Sequence, residues 1–144
     1  MAVSFQNKDV AYRFPKRRRV AAWIGEIARC EGYEVGEIAV VFTSDDYLLE
    51  VNRAYLGHDY LTDIITFDYC DPLRLGVISG DLLIGVGTVA DNAQRFGTEA
   101  GEEMLRVIAH GVLHLCGHGD KSDAERMAMR SLEDKYLALF ADGE

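Results

Sequence analysis

Apolar positions change period several times along the chain, and each change marks an element. Val3 to Phe5 is a short apolar-leaning run that reads as a first strand. Phe14-Pro15 marks a turn, and Pro suits the first position of a helix. Val20, Trp23, Ile24, Ile27 and Ala28 then recur at helical spacing, with Gly32 where a C-cap glycine sits. Ile38 to Phe42 is a β-rich run. Ser44-Asp45-Asp46 follows it, supplying an N-cap and negative charge for a helix over roughly 45–56. Asp63 to Phe67 and Asp81 to Val86 read as two further strands, separated by a loop that Pro72 and Gly76 punctuate. Helices over about 88–96, 99–116 and 122–140 fill the remainder, the last opening on the capping box Ser122-Asp123-Ala124-Glu125. The order β-α-β-α-β-β-α-α-α describes an α+β (mixed α/β) fold. It predicts a single domain over 1–144, with a small mixed four-stranded sheet and about five helices.

Composition agrees with one soluble domain. The 144 residues are 49% hydrophobic and 27% charged, with 2 Pro and no low-complexity run to serve as a linker. A chain of this length buries roughly 70% of its unfolded surface, enough to hold a core without staples. No apolar run reaches the length of a membrane span, and the first residues lack the apolar stretch of a secretory signal. The expectation is a cytoplasmic protein with no membrane partner. Cys30, Cys70 and Cys116 are odd in number and widely spaced, and read as reduced core thiols. A net charge of −9 argues against a general nucleic-acid binder, because the overall field repels phosphate. Lys16-Arg17-Arg18-Arg19 is a local exception, either a solvated helix start or a phosphate-contacting patch.

The chemistry concentrates in His110-Gly111-Val112-Leu113-His114-Leu115-Cys116-Gly117-His118-Gly119-Asp120. On a helix at 100° per residue, Leu105, Ala109, Val112 and Cys116 fall within roughly 60° of one another. His110 and His114 point to the opposite side with Glu103 between them in projection. Apolar residues surround the helix, so it is expected to be buried. Two imidazoles one turn apart on a buried helix are a standard geometry for one metal ion. On a straight helix His110 and His118 would be about 12 Å apart, which no single ion spans. The chain must leave the helix, and Gly117 permits the turn. Past it, either Asp120 or His118 returns as the third ligand, and the spacing His-x3-His-x2-Gly-x2-Asp favours Asp120. Three protein ligands leave a position for water, whose pKa zinc lowers, and this favours hydrolysis over a structural ion. A protease is disfavoured, because Gly111 stands where zinc proteases of this spacing carry a glutamate base. Glu103 shares the ligand face and is a candidate to orient His110; it serves equally as a solvated first-turn acid.

Gly85-Val86-Gly87-Thr88-Val89-Ala90 matches G-x-G-x-x-A after a strand. The histidine helix follows where a βαβ unit needs a second strand, so this reads as a structural turn.

The metal motif is similar to that of the YbeY-type single-strand endoribonucleases, or rRNA maturation factors. The family pattern H-G-x-L-H-L-x-G is met by His110, Gly111, Leu113, His114, Leu115 and Gly117. Asn52 and Tyr55, Thr62 to Phe67 and Gly80-Asp81-Leu82 resemble further family blocks, in the family's order, over roughly 35–120. Two positions depart from the pattern: Leu56 replaces an arginine after the tyrosine, and Asp120 replaces the histidine that is the family's third ligand. The resemblance implies a metal-dependent endoribonuclease that acts on single-stranded RNA and precursor ribosomal RNA in ribosome biogenesis and quality control, docking on the small ribosomal subunit. It implies one Zn2+, with other divalent metals possible given the carboxylate. It makes Thr62 and Asp63 candidates to line the catalytic cleft, with Asp63 serving equally as a strand-edge structural acid, and Arg17, Arg18 and Arg19 candidates for RNA contact. The alternative is a non-enzymatic ribosome-assembly factor with a structural ion.

Overall fold

The computed structural model describes residues 2–143. Among them the elements run β1 (Ala2–Lys8), α1 (Arg17–Cys30), β2 (Glu34–Thr43), α2 (Asp45–Leu56), β3 (Ile64–Asp68), β4 (Val77–Gly85), α3 (Val86–Phe96), α4 (Ala100–Leu115) and α5 (Asp123–Asp142). The order matches the sequence pattern; β1, β2 and β4 start before the apolar runs that announce them, β3 is shifted by one residue, and Val86, expected in the fourth strand, begins α3. Two helices, α2 and α5, are capped by side chains at their starts. Ser44 accepts from the Tyr47 amide at the start of α2, and Ser122 and Glu125 form the reciprocal capping box of α5. Gly32, with φ of 87°, lies just past the α1 cap.

The sheet order is β1-β2-β4-β3, with β1, β2 and β4 parallel and β3 antiparallel at one edge. Alternation along β2 and β4 divides their side chains between two faces. Ile38, Val40, Phe42, Ile78, Leu82 and Ile84 enter the main core with Trp23, Ile24 and Ile27 of α1 and the buried face of α4. On the other face, α2 covers a smaller cluster of Leu48, Val51, Ile65 and Leu83. Of the three free thiols, Cys116 is buried, Cys70 is half-buried and Cys30 is exposed, so the expectation of three core thiols holds only for Cys116. Burial pushes the Cys116 thiol up to about 12.

The G-x-G-x-x-A segment has a structural use. The Asp45 carboxylate of α2 accepts from the Thr88 amide at 3.0 Å and occupies the N-terminus of α3. A Cβ at Gly87 would lie 2.5 Å from that carboxylate. A protein anion therefore fills the place a phosphate takes in a dinucleotide fold.

Helix α4 is central, packing against α1, α3, α5, β3 and β4. Its approach to the sheet requires Gly111, because a Cβ there would stand 2.8 Å from both Ile64 Cδ1 and Leu82 Cδ2. The side of α4 on which zinc proteases carry their base is here pressed on the sheet. Gly111→Val should lower stability by about 1–3 kcal/mol through overpacking, read as a lower urea midpoint at unchanged slope.

Candidate metal centre

The last turn of α4 and the loop after it form the candidate site. The His118 amide donates to the Leu113 carbonyl at 3.1 Å and the Gly117 amide to that of His114 at 3.0 Å, with Gly117 at φ of 95°. This is a Schellman stop, and a left-handed residue is required at Gly117 to make it. It reverses the chain so that Asp120 comes back alongside the helix. His110 Nε2 and His114 Nε2 lie 2.9 Å apart, and Asp120 Oδ2 is 3.3 Å from each. Bonds of about 2.0–2.1 Å in a tetrahedral arrangement place neighbouring ligand atoms roughly 3.3 Å apart, so this triangle fits one first-row divalent ion. Among the described residues it is the one group of histidines, cysteines or carboxylates gathered tightly enough to do so.

His118 goes elsewhere. Its Nε2 is 2.6 Å from Glu31 Oε1 at the end of α1, and Tyr136 donates to the other oxygen of that carboxylate. The residue weighed as an alternative third ligand therefore anchors the loop to α1, while Asp120 closes on the imidazoles. Arg126 holds the same loop through the carbonyls of Asp120 and Lys121, at 3.3 and 2.9 Å.

The carboxylate on His110 comes from α5. Glu133 Oε2 is 2.7 Å from His110 Nδ1, and Glu133 Oε1 accepts from Arg106 at 3.0 Å. Glu103, the candidate for this role, shares the face but begins about 10 Å earlier along the helix axis, at 1.5 Å per residue; it is buried near Arg106 and Asp63 instead. The Glu133 bond puts the proton on Nδ1 and turns the Nε2 lone pair toward His114 and Asp120. Burial opposes charging the His110 ring, but Glu133, Asp120 and Asp63 outweigh it and raise its pKa. Glu133 was detectable in the sequence as an acid interrupting the inner stripe of α5, between Met129 and Tyr136.

The triangle lies on a cleft of about 580 Å³ whose other walls include Asn52, Leu56, Tyr60, Thr62 and Asp63. A second cleft of about 380 Å³, with Arg106, Arg126 and Arg130 on its walls, shares Asp63, His110 and Asp120 with the first. Asp63 thus stands between the two. Its carbonyl accepts from the Gly85 amide at 2.9 Å, which fixes it at the end of the sheet. Thr62 lines the first cleft and donates to the Ile64 carbonyl at 3.4 Å. Arg17, Arg18 and Arg19 do not line it. They begin α1, whose opposite end carries Glu31, and the Arg19 guanidinium covers the Phe140 ring at 4.1 Å and bonds the Phe140 carbonyl.

The chain matches the family model for endoribonuclease YbeY over residues 3–141. It is 51% identical over 139 residues to the endoribonuclease YbeY of Phocaeicola vulgatus, covering 96% of this chain and 99% of that one. The chain belongs to the YbeY endoribonuclease family. A YbeY relative from Bacteroides thetaiotaomicron is 50% identical with the same coverage. A solution structure from Thermotoga maritima, at 24% identity, has the same fold, with a TM-score of 0.64 over 96% of this chain and 88% of that one. As a member of the YbeY family the chain is an endoribonuclease, a hydrolase whose substrate is RNA. No helix among its described residues is long and apolar enough to cross a membrane.

Burial raises the pKa of Asp63; the His110 charge and backbone amides oppose the shift and Glu133 adds to it. The folded protein therefore holds this proton more tightly than the unfolded chain does. The stability Asp63 contributes is complete below its ordinary pKa of 3.8 and is lost as pH rises through the elevated folded value. In chelator-treated protein, Asp63→Asn should raise Tm at pH 7 more than at pH 4. A gain that is equal at both pH values, or larger at pH 4, would contradict this assignment.

Proposed function

We infer that the chain hydrolyses phosphodiester bonds of single-stranded RNA at a divalent ion, zinc by its donor set, held by His110, His114 and Asp120. The carrying observation is the triangle of two imidazole nitrogens and one carboxylate oxygen, 2.9, 3.3 and 3.3 Å on its edges, exposed on a cleft of about 580 Å³. When bound, such an ion polarises a phosphoryl oxygen and lowers the pKa of water. Glu133 holds the His110 tautomer, and Arg126 and the Gly117 turn hold Asp120 in place. Asp63 keeps its proton to higher pH than an exposed carboxyl, the property required of a general acid that protonates a leaving oxygen. Thr62 lines the same wall, and Lys121 brings a positive charge to the cleft. Precursor ribosomal RNA and the small ribosomal subunit are the substrate and docking partner implied by the family resemblance.

An enzymatic ion is favoured over a purely structural one because a closed structural zinc site takes four protein ligands. Here three converge, on an open cleft.

The test is elemental analysis paired with cleavage of single-stranded RNA. Wild type should carry one equivalent of metal and cleave, whereas His114→Ala and Asp120→Ala should lose both properties while keeping the wild-type circular dichroism spectrum. Glu133→Gln should weaken metal affinity by roughly 10–100-fold in a chelator competition. Undiminished cleavage by thoroughly metal-stripped protein would overturn the reading.

A further inference from the structure

The segment joining α2 to β3 forms one wall of the cleft, and it presents apolar and aromatic side chains to solvent. Tyr60 is 57% exposed and Leu56 45%; both line the cleft together with His58. The His58 and Tyr60 rings are stacked, with centroids 5.1 Å apart and planes 18° from parallel, and the Tyr60 hydroxyl meets His58 Nδ1 at 3.0 Å. A two-ring stack on the surface costs hydration free energy unless something covers it.

The backbone beneath the stack is held firmly. The His58 amide donates to the Asn52 carbonyl at 3.1 Å, and the Asn52 side chain donates to the Tyr60 carbonyl at 2.9 Å. Asn52 is itself 1% exposed, so these bonds have a rigid base. Arg53 pairs with Asp59 on the outer side of the turn. Both rings are exposed on the cleft that also carries His110 and His114. An aromatic surface recognises the flat face of a base, whereas a cation such as Lys121 on the same cleft suits a phosphate.

We propose that Tyr60 and His58, flanked by Leu56, form a base-stacking subsite that receives an unpaired base of the RNA next to the phosphate held at the metal centre. The subsite rests on the RNA-hydrolysing reading of that centre and supplies its strand selectivity. A base inside a duplex is stacked on both faces and cannot enter, whereas an unpaired base gains a ring partner on binding.

The experiment uses metal-loaded protein and a short single-stranded RNA carrying 2-aminopurine at successive positions. Fluorescence is read in stopped flow, before cleavage, and cleavage is followed in the same preparation. Wild type and Tyr60→Phe should quench the probe at one position and bind alike. Tyr60→Ala should lose the quench and weaken binding roughly tenfold or more, the usual effect of removing one stacking partner. With an abasic nucleotide at that position, wild type and Tyr60→Ala should bind equally. Equal affinity of Tyr60→Ala and wild type for the base-bearing RNA overturns the subsite, as does a difference that persists on the abasic RNA. Continued wild-type cleavage in either case leaves the metal-centre reading standing. Absence of cleavage by metal-loaded wild type overturns that reading, and the subsite with it.

Discussion

Two imidazoles one turn apart on a helix packed by three other helices and two strands must find polar partners that the helix itself cannot supply. The architecture around α4 answers that demand. His110 is met on Nδ1 by Glu133, which obliges α5 to lie across α4 at that height. The Arg106 guanidinium then offsets the charge that Glu133 brings inside, at 3.0 Å. On the Nε2 side the helix must end within two residues of His114, because only a reversed chain returns a carboxylate to both rings. The Schellman stop at Gly117 and the His118–Glu31–Tyr136 bonds secure the returning loop to α1 and α5. Helix packing and site geometry are thus one constraint.

That constraint concentrates negative charge. Asp63, Glu103, Asp120 and Glu133 all border the second cleft, with Arg106 already engaged by Glu133 and Asp134. Burial raises the pKa of Glu103, Arg106 opposes the shift, and Asp63 adds to it. Carboxyls that resist ionisation beside the His110 imidazole, whose charge is favoured, describe a pocket short of positive charge. A divalent cation held by His110, His114 and Asp120 would relieve this shortage and would thereby link fold stability to metal occupancy.

Much of this was legible in the sequence, for identifiable reasons. Periodicity gave the order of elements because each strand and helix buries one consistent face, and α2 and α5 carried their caps in Ser44 and Ser122. The histidine spacing and Gly117 were legible because metal geometry and helix termination act over a single turn. Glu133 was visible only as an acid on the inner stripe of α5; its partner was not, because Glu133 reaches His110 from 23 residues away through the packing of two helices, and spacing along one helix pointed to Glu103. Nor was the fate of Arg19, which depends on where Phe140 comes to rest at the far end of α5. His118 and Asp120 are two residues apart in one loop. Spacing favoured Asp120, and the structure separates their roles through Glu31 at the end of α1, which takes His118, and Arg126, which holds the loop at Asp120.

The charge distribution bears on how such a protein engages RNA. At a net −9, with its cationic run at the remote end of α1, the chain gains little from long-range attraction to phosphate. The cations that do reach the clefts are few and divided: Lys121 on the first, Arg126 and Arg130 on the second. The exposed rings of His58 and Tyr60 stand on the first cleft, and Asp63, His110 and Asp120 separate it from the second. A strand crossing the metal centre would meet an aromatic surface on one side and guanidinium groups on the other. Its grip would then depend on short-range contacts to unpaired bases and on a few phosphates, and less on a broad basic surface. Recognition of that kind is weakly screened by salt, favours flexible single strands over duplex, and is compatible with a net charge of −9.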